Sequence, residues 1–178
     1  MPAPKKLSSE ALWEYAVRKL SGRAHATGEL RVALAARAAE PADVDAVLSR
    51  LKDYGYLNDS KFAESFATAR LENEGFGKSR VLRDLRSRRV APELAEKTIA
   101  KVYADLDEPE LIEQYVRRKY RSADREGLFQ EDKEIASAYC RLIRAGFSSA
   151  NSIKVLKRFA ANPDLLDSFE DTPAEDEE

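Results

Sequence analysis

The chain holds one cysteine, Cys140, and one histidine, His25, in 178 residues. A lone thiol cannot form a disulfide within the chain, so packing must carry the fold, and a reducing cytosol is the expected home. One histidine and one cysteine, far apart, leave no cluster with zinc-ligand spacing. His25 has no partners in a Ser-His-Asp or Cys-His pattern either. No apolar run approaches the roughly eighteen residues that a membrane span needs. Glycine and proline number only seven each, few for a chain built of loops. Neither a cofactor nor catalysis is expected.

A phosphate-binding loop is also missing. Gly77-Lys78-Ser79 resembles the end of one, but the motif requires a glycine five positions earlier, where Glu72 stands. A carboxylate there would repel the phosphates that backbone N–H groups must wrap. The preceding residues, FAESFATARLENE, read as a helix and not as the buried strand that leads into such a loop.

What the chain has is charge and helical periodicity. Eight of its 32 acids lie from Asp164 onward, where there is no base, so residues 1–163 carry 30 bases against 24 acids. A basic body with an acidic tail suggests a body that meets polyanions. Leu12, Tyr15, Ala16, Lys19 and Leu20 recur at helical spacing within 9–25. Thr27 is a candidate N-cap for a second helix with Leu30, Ala33, Leu34 and Ala38 inward. Pro41 opens a third, where its missing N–H costs nothing, and Val44, Val47, Leu48 and Leu51 form its buried stripe.

That pattern returns. A shift of 51 residues puts Leu30 on Val81, Leu34 on Leu85, Pro41 on Pro92, Leu48 on Ile99 and Tyr15 on Phe66. A further shift of 57 puts Leu85 on Leu142, Val90 on Phe147, Ile99 on Leu156 and Val102 on Phe159. The predicted fold is therefore all-α: three tandem three-helix repeats forming an elongated, curved array. The expected divisions are a flexible N-terminus at 1–8, repeats at 9–57, 58–107 and 108–162, a loop near 122–131, and an acidic, disordered tail at 163–178.

The middle repeat carries a series of motifs: Leu57, Asn58 and Asp59; Phe62, Ala63 and Glu64; Phe66; Arg70; Gly75, Phe76 and Gly77; then a basic helix over 80–85. Arg23, His25, Glu29 and Leu30 in the first repeat, and 144–148 (RAGFS) in the third, add to them. Together, over roughly 9–160, they resemble the RecX family of bacterial recombination regulators. The chain departs from that family at Ala26, where a serine cap is usual, at Asn58, often Asp, and at Ala39 and Arg89, often glycine. The resemblance implies a non-enzymatic, cytoplasmic protein with no cofactor. It would bind the RecA recombinase filament on DNA and inhibit its ATPase, strand-exchange and co-protease activities, with consequences for recombination, repair and the SOS response. The alternative is a sequence-nonspecific DNA-binding helical module acting without RecA; a third reading is a scaffold for an unrelated acidic partner.

The candidate contact residues for RecA or DNA are Arg70, Lys78, Arg80, Arg83, Arg86, Arg88, Arg117, Arg118 and Lys119. On the helix within 75–89, Val81, Leu82 and Leu85 point one way, Arg80 and Arg83 the other. A single-sign face suits phosphate, though a solvated face remains open. Arg70, Arg80 and Arg83 are expected at the centre of the array's concave side. No set of side chains for reading bases stands out, so contact with single- or double-stranded DNA should run through the backbone and weaken with salt. Phe76 reads as a core plug rather than a stacking platform, and Asp59 as the cap of the helix holding Phe62. A monomer without membrane contact is expected.

Overall fold

The computed structural model describes residues 6–120, 128–161, 163, 164 and 166. The expectations for residues 1–5, for 122–127 of the loop and for most of the acidic tail lie outside them. Among the described residues the protein is all-α, in the order α1 (Ser9–Gly22), α2 (Thr27–Ala35), α3 (Pro41–Asp53), α4 (Asp59–Ala69), α5 (Lys78–Ser87), α6 (Pro92–Val102), α7 (Glu108–Lys119), α8 (Asp132–Arg144) and α9 (Ser149–Leu156). These are three tandem three-helix repeats. The only extended pairing among the described residues is two isolated bridges, Leu7 with Ala38 and Phe129 with Ala160.

Two compact units form. Among the described residues, one comprises those up to Thr68 together with Leu82–Val102; the other comprises Ala69–Val81 and those from Tyr103 on. The first is built on Leu12, Leu30, Leu34, Val47, Leu48 and Leu51, the periodic positions of α1–α3, with Trp13, Tyr15 and Leu20 partly buried beside them. The second is built on Ile112, Val116, Ile135, Leu142, Ile153 and Leu156, with Phe147 and Phe129. Val81 and Leu85 are fully buried, as the α5 pattern requires, and Phe76 packs against the second core.

The helix starts depart from the sequence reading. Thr27 is the first residue of α2, and neither it nor Ala26 caps that helix with its side chain. The Thr27 N–H donates instead to Asp59 Oδ1 at 2.7 Å. Asp59 therefore does not cap its own helix; Asn58 does, its Oδ1 accepting from the Lys61 N–H at 2.9 Å. An acid at a helix N-terminus satisfies an orphan donor and suits the dipole wherever in the chain it comes from. Spacing along one helix could not reveal a partner 32 residues away.

One contact recurs between consecutive repeats. The start of α2 lies so close to the α5–α6 turn that a Cβ on Gly28 would overlap the Arg89 carbonyl. The start of α5 lies equally close to the α8–α9 turn: a Cβ on Gly77 would overlap the Gly146 carbonyl, and the Gly77 and Ser79 N–H groups donate to the Ala145 and Gly146 carbonyls at 2.8 and 3.2 Å. The repeat shifts of 51 and 57 carry Gly28 to Ser79 and Arg89 to Gly146. Both turn residues have positive φ, 59° at Arg89 and 91° at Gly146. Arg89 takes this conformation without being glycine, at the position where the family resemblance led one to expect glycine.

Two stability predictions follow from this geometry. Gly28→Ala and Gly77→Ala should each cost about 1–3 kcal/mol, the usual penalty of overpacking. Gly22→Ala, whose Cβ meets nothing within 4 Å, should be neutral or stabilising by up to ~1 kcal/mol. Thermal unfolding of the three variants checks this, and equal effects would refute the close approach. Asp59→Ala should cost about 1 kcal/mol through α2, with Asp59→Asn recovering part of it as an uncharged acceptor.

Candidate functional site

The nine cationic candidates fall into two groups. Arg83, Arg86 and Arg88 belong to the first unit; Arg70, Lys78, Arg80, Arg117, Arg118 and Lys119 belong to the second.

In the second unit the chain leaves α4 through a π-helical turn, Arg70–Glu74, that ends on Gly75 at φ 64°. This turn swings Arg70 toward Phe76, and α5 brings Arg80 to the same ring. The guanidinium carbons lie 6.0 and 5.2 Å from the Phe76 centroid, and Arg80 Nη1 also reaches the Arg144 carbonyl at 3.4 Å. Phe76 thus serves both as part of the core and as the platform that gathers two of the predicted arginines. The Tyr103 hydroxyl donates to the Phe76 carbonyl at 2.7 Å and fixes the segment from below; burial pushes that phenol's pKa up. Lys78 is exposed at the first turn of α5, near Glu108. Burial pushes the Glu108 carboxyl up, but hydrogen bonds from Ser148 and Asn151, with the charge of Lys78, bring it below the usual carboxylate value.

The α7 cluster separates by role. Arg118 donates to the carbonyls of Asn73 and Glu74, capping the π turn. Its guanidinium is structural, which single-sequence charge counting could not foresee. Arg117 pairs with Glu113 one turn back at 2.9 Å. Lys119 is exposed at the helix end, its ammonium 5.7 Å from the Tyr115 ring.

In the first unit, Arg83 is exposed on α5. Arg86 pairs with Glu96 of α6 at 2.9 Å, both side chains half exposed, so the pair adds little to stability. Arg88 turns the other way. It donates to Glu29 Oε1 at 3.1 Å and lies 5.8 Å from the Phe66 ring.

Glu29 is the centre that sequence reasoning missed. Arg23 holds it through two bonds, 2.5 and 3.2 Å, and His25 Nδ1 lies 3.2 Å from its other oxygen. Burial pushes the carboxyl up; the Arg23 hydrogen bond and charge, helped by His25 and Arg88, override it and hold the pKa at about 2. Burial, and then Arg23, push the His25 pKa down, so its imidazole is neutral at pH 7. The signal was present as Arg23-x-His25 followed by Glu29, but its third member, Arg88, is 59 residues away.

Comparison with known proteins gives this arrangement its context. Family models described as the first and second three-helix domains of RecX match residues 13–51 and 58–99. The chain is 32% identical over 151 residues to "Regulatory protein RecX" of Deinococcus radiodurans, covering 84% of this chain and 68% of that one. It is also 32% identical to the protein of that name from Mycolicibacterium smegmatis, covering 82% and 78%. The crystal structure of RecX from Lactobacillus salivarius superposes with a TM-score of 0.63 at 16% identity, over 85% of this chain and 96% of that one, and so shares the fold.

Because Glu29 titrates near 2 in the folded protein and near its ordinary 4.5 when unfolded, its stabilisation is complete above about 4.5 and fades as pH falls toward 2. Glu29→Gln should cost about 1–3 kcal/mol at neutral pH, the range for charge-assisted hydrogen bonds. Denaturant titrations should show the gap to the wild type closing in that acidic window; a gap independent of pH would contradict the network. The two matched three-helix domains and the relatives covered to two thirds or more show that the chain belongs to the RecX family of regulatory proteins.

Proposed function

We propose that this protein binds the RecA recombinase filament on DNA and lowers its ATPase, strand-exchange and co-protease activities, acting as a cytoplasmic monomer by binding rather than by catalysis. Membership of the RecX family carries this reading. The supporting chemistry is cationic in each unit: Lys78 of the second and Arg83 of the first are exposed. Phosphate oxygens and carboxylates are the partners such groups recognise. We assign contact with the filament to Lys78, Arg80, Arg83 and Arg70, with Arg86, Arg117 and Lys119 at the margin. Arg88 and Arg118 act first within the fold. Repeat boundaries near residues 57 and 107 belong to the same proposal.

A sequence-nonspecific DNA-binding module acting without RecA is the second reading, favoured by the excess of bases over acids in residues 1–163. The two separate in one assay. DNA-dependent ATP hydrolysis by the cognate RecA is titrated with this protein at physiological salt, with DNA in excess. Inhibition well below one chain per RecA monomer supports filament binding; no inhibition together with tight binding to bare DNA supports the second reading. Arg83→Glu, an exposed change that should leave helicity intact, should weaken inhibition about tenfold, a loss of ~1.4 kcal/mol. An unchanged inhibition curve would remove Arg83 from the contact surface.

A further inference from the structure

The first unit contains an open pocket of about 550 Å³ that the filament reading does not use. Its apolar wall is Phe62 and Phe66, one turn apart on α4, with ring centroids 5.8 Å apart and planes at 23°. Three cations stand around it: Arg23, Lys61 and Arg88. Glu29 holds the two arginines from behind, neutralising one charge and leaving the rim positive. Between wall and rim lie the polar groups of Asn58, Ser65 and Tyr56. The aromatic surface continues outside. Tyr56 lies 6.4 Å from Trp13 and 6.3 Å from Tyr54, Arg50 stacks on Trp13 at 4.0 Å, and both tyrosines are more than half exposed.

The fold does not demand this lining, because the second unit holds the same position with different residues. A second pocket there is lined by Gly75, Leu111, Gln114 and Tyr115. Gly75 stands 51 residues from Ala24, and aligning the capping residues Asn58 and Asp107, 49 apart because the third repeat's loop shifts its first helix, places Leu111, Gln114 and Tyr115 on Phe62, Ser65 and Phe66. That pocket is smaller, about 350 Å³, and its one cation, Arg118, already donates to the Asn73 and Glu74 carbonyls. His25, on the wall of the first pocket, corresponds to Phe76, which lies half-buried against the second core. A pocket that is small, with its one cation committed to the backbone, in one copy is wider, doubly aromatic and ringed by three cations in the other.

We propose that the Phe62–Phe66 pocket binds a nucleotide, its base against the two rings and its phosphate on Lys61 and the Arg23–Arg88 pair. Stacked aromatic rings beside a basic rim form the combination that holds unstacked bases without reading their order. Asn58 and Ser65 can bond a base edge. Tyr56, Tyr54 and Trp13 give neighbouring bases of a single strand further surfaces. An acidic peptide would also meet the cations, but its carboxylates make no use of the aromatic wall of Phe62 and Phe66. The inference goes beyond the filament reading, because it assigns a second surface and needs no recombinase.

The test uses the full chain and a short oligothymidylate carrying a central 2-aminopurine, without RecA. Binding should quench the 2-aminopurine through stacking. Phe66→Leu, which keeps apolar volume, should weaken binding about tenfold and restore the emission, as loss of one stacking contact predicts. Lys61→Gln should lower the slope of log K against log salt by about one phosphate's share. Lys97→Gln, exposed on α6 and outside the pocket, should retain the quench. Circular dichroism confirms that each variant is folded. Thymidine monophosphate that displaces the oligonucleotide supports the site with free nucleotide as a source; oligonucleotide binding that the monophosphate cannot displace supports it with a strand as the source. Binding with no quench, or binding unchanged in Phe66→Leu and Lys61→Gln, overturns the proposal. So does a loss seen only in capture of RecA filaments, which would make the pocket a protein-docking site. The bare-oligonucleotide result and the ATPase titration are independent, so either reading can fail alone.

Discussion

Consecutive repeats are joined where the first turn of one repeat's second helix meets the turn before the third helix of the next. A helix start exposes N–H groups that need acceptors, and a turn in the left-handed conformation presents carbonyls outward. At the second junction the two satisfy each other, Gly77 and Ser79 donating to Ala145 and Gly146. No side chain fits in that space, which is why glycine occupies position 77 and position 146. At the first junction the backbones approach as closely, at Gly28 and Arg89. There the free N–H of Thr27 goes to the carboxylate of Asp59. One geometric constraint has a backbone answer in one copy and a side-chain answer in the other.

The side-chain answer has consequences. Asp59 ties α4 to α2, and Glu29, one turn inside α2, gathers Arg23 and Arg88. Arg88 is the last residue before the left-handed Arg89. The same turn that forms the junction therefore also delivers a guanidinium to the Phe66 ring. The position equivalent to Glu29 in the second repeat is Arg80. There a cation lies over Phe76 instead of an acid gathering cations.

The periodic positions were legible because burial along a helix follows its 3.6-residue period. Leu30, Val81, Leu34, Leu85 and Leu142 are all buried where the offsets placed them, and the recurring prolines at 41 and 92 open α3 and α6. Phe76 as a core plug was also legible, since an aromatic between two glycines has few other places to go. What was hidden depends on partners distant in sequence. Asp59 acts on α2 and not on α4. Arg118 reads as one of three consecutive bases, Arg117 to Lys119, and turns out to cap Gly75's turn. Glu29 reads as a first-turn acid, and its second arginine comes from another repeat. In each case charge and local helix position were visible, whereas the choice among possible partners belongs to tertiary packing.

That choice bears on why the first junction is open. Burying an exposed aromatic ring is worth about 1.5–3 kcal/mol, and the second junction takes that gain with Tyr115 at 5% exposure. The first junction is built from the corresponding helices, yet it keeps Phe62 and Phe66 half-buried and places the polar His25 where Phe76 stands in the next repeat. A phenylalanine at position 25 is evidently compatible with the topology, since the second repeat uses one. Stability alone would fill the space. A fold that satisfies its local rules elsewhere and departs from them at one junction marks that junction as the place where binding, rather than packing, set the residues.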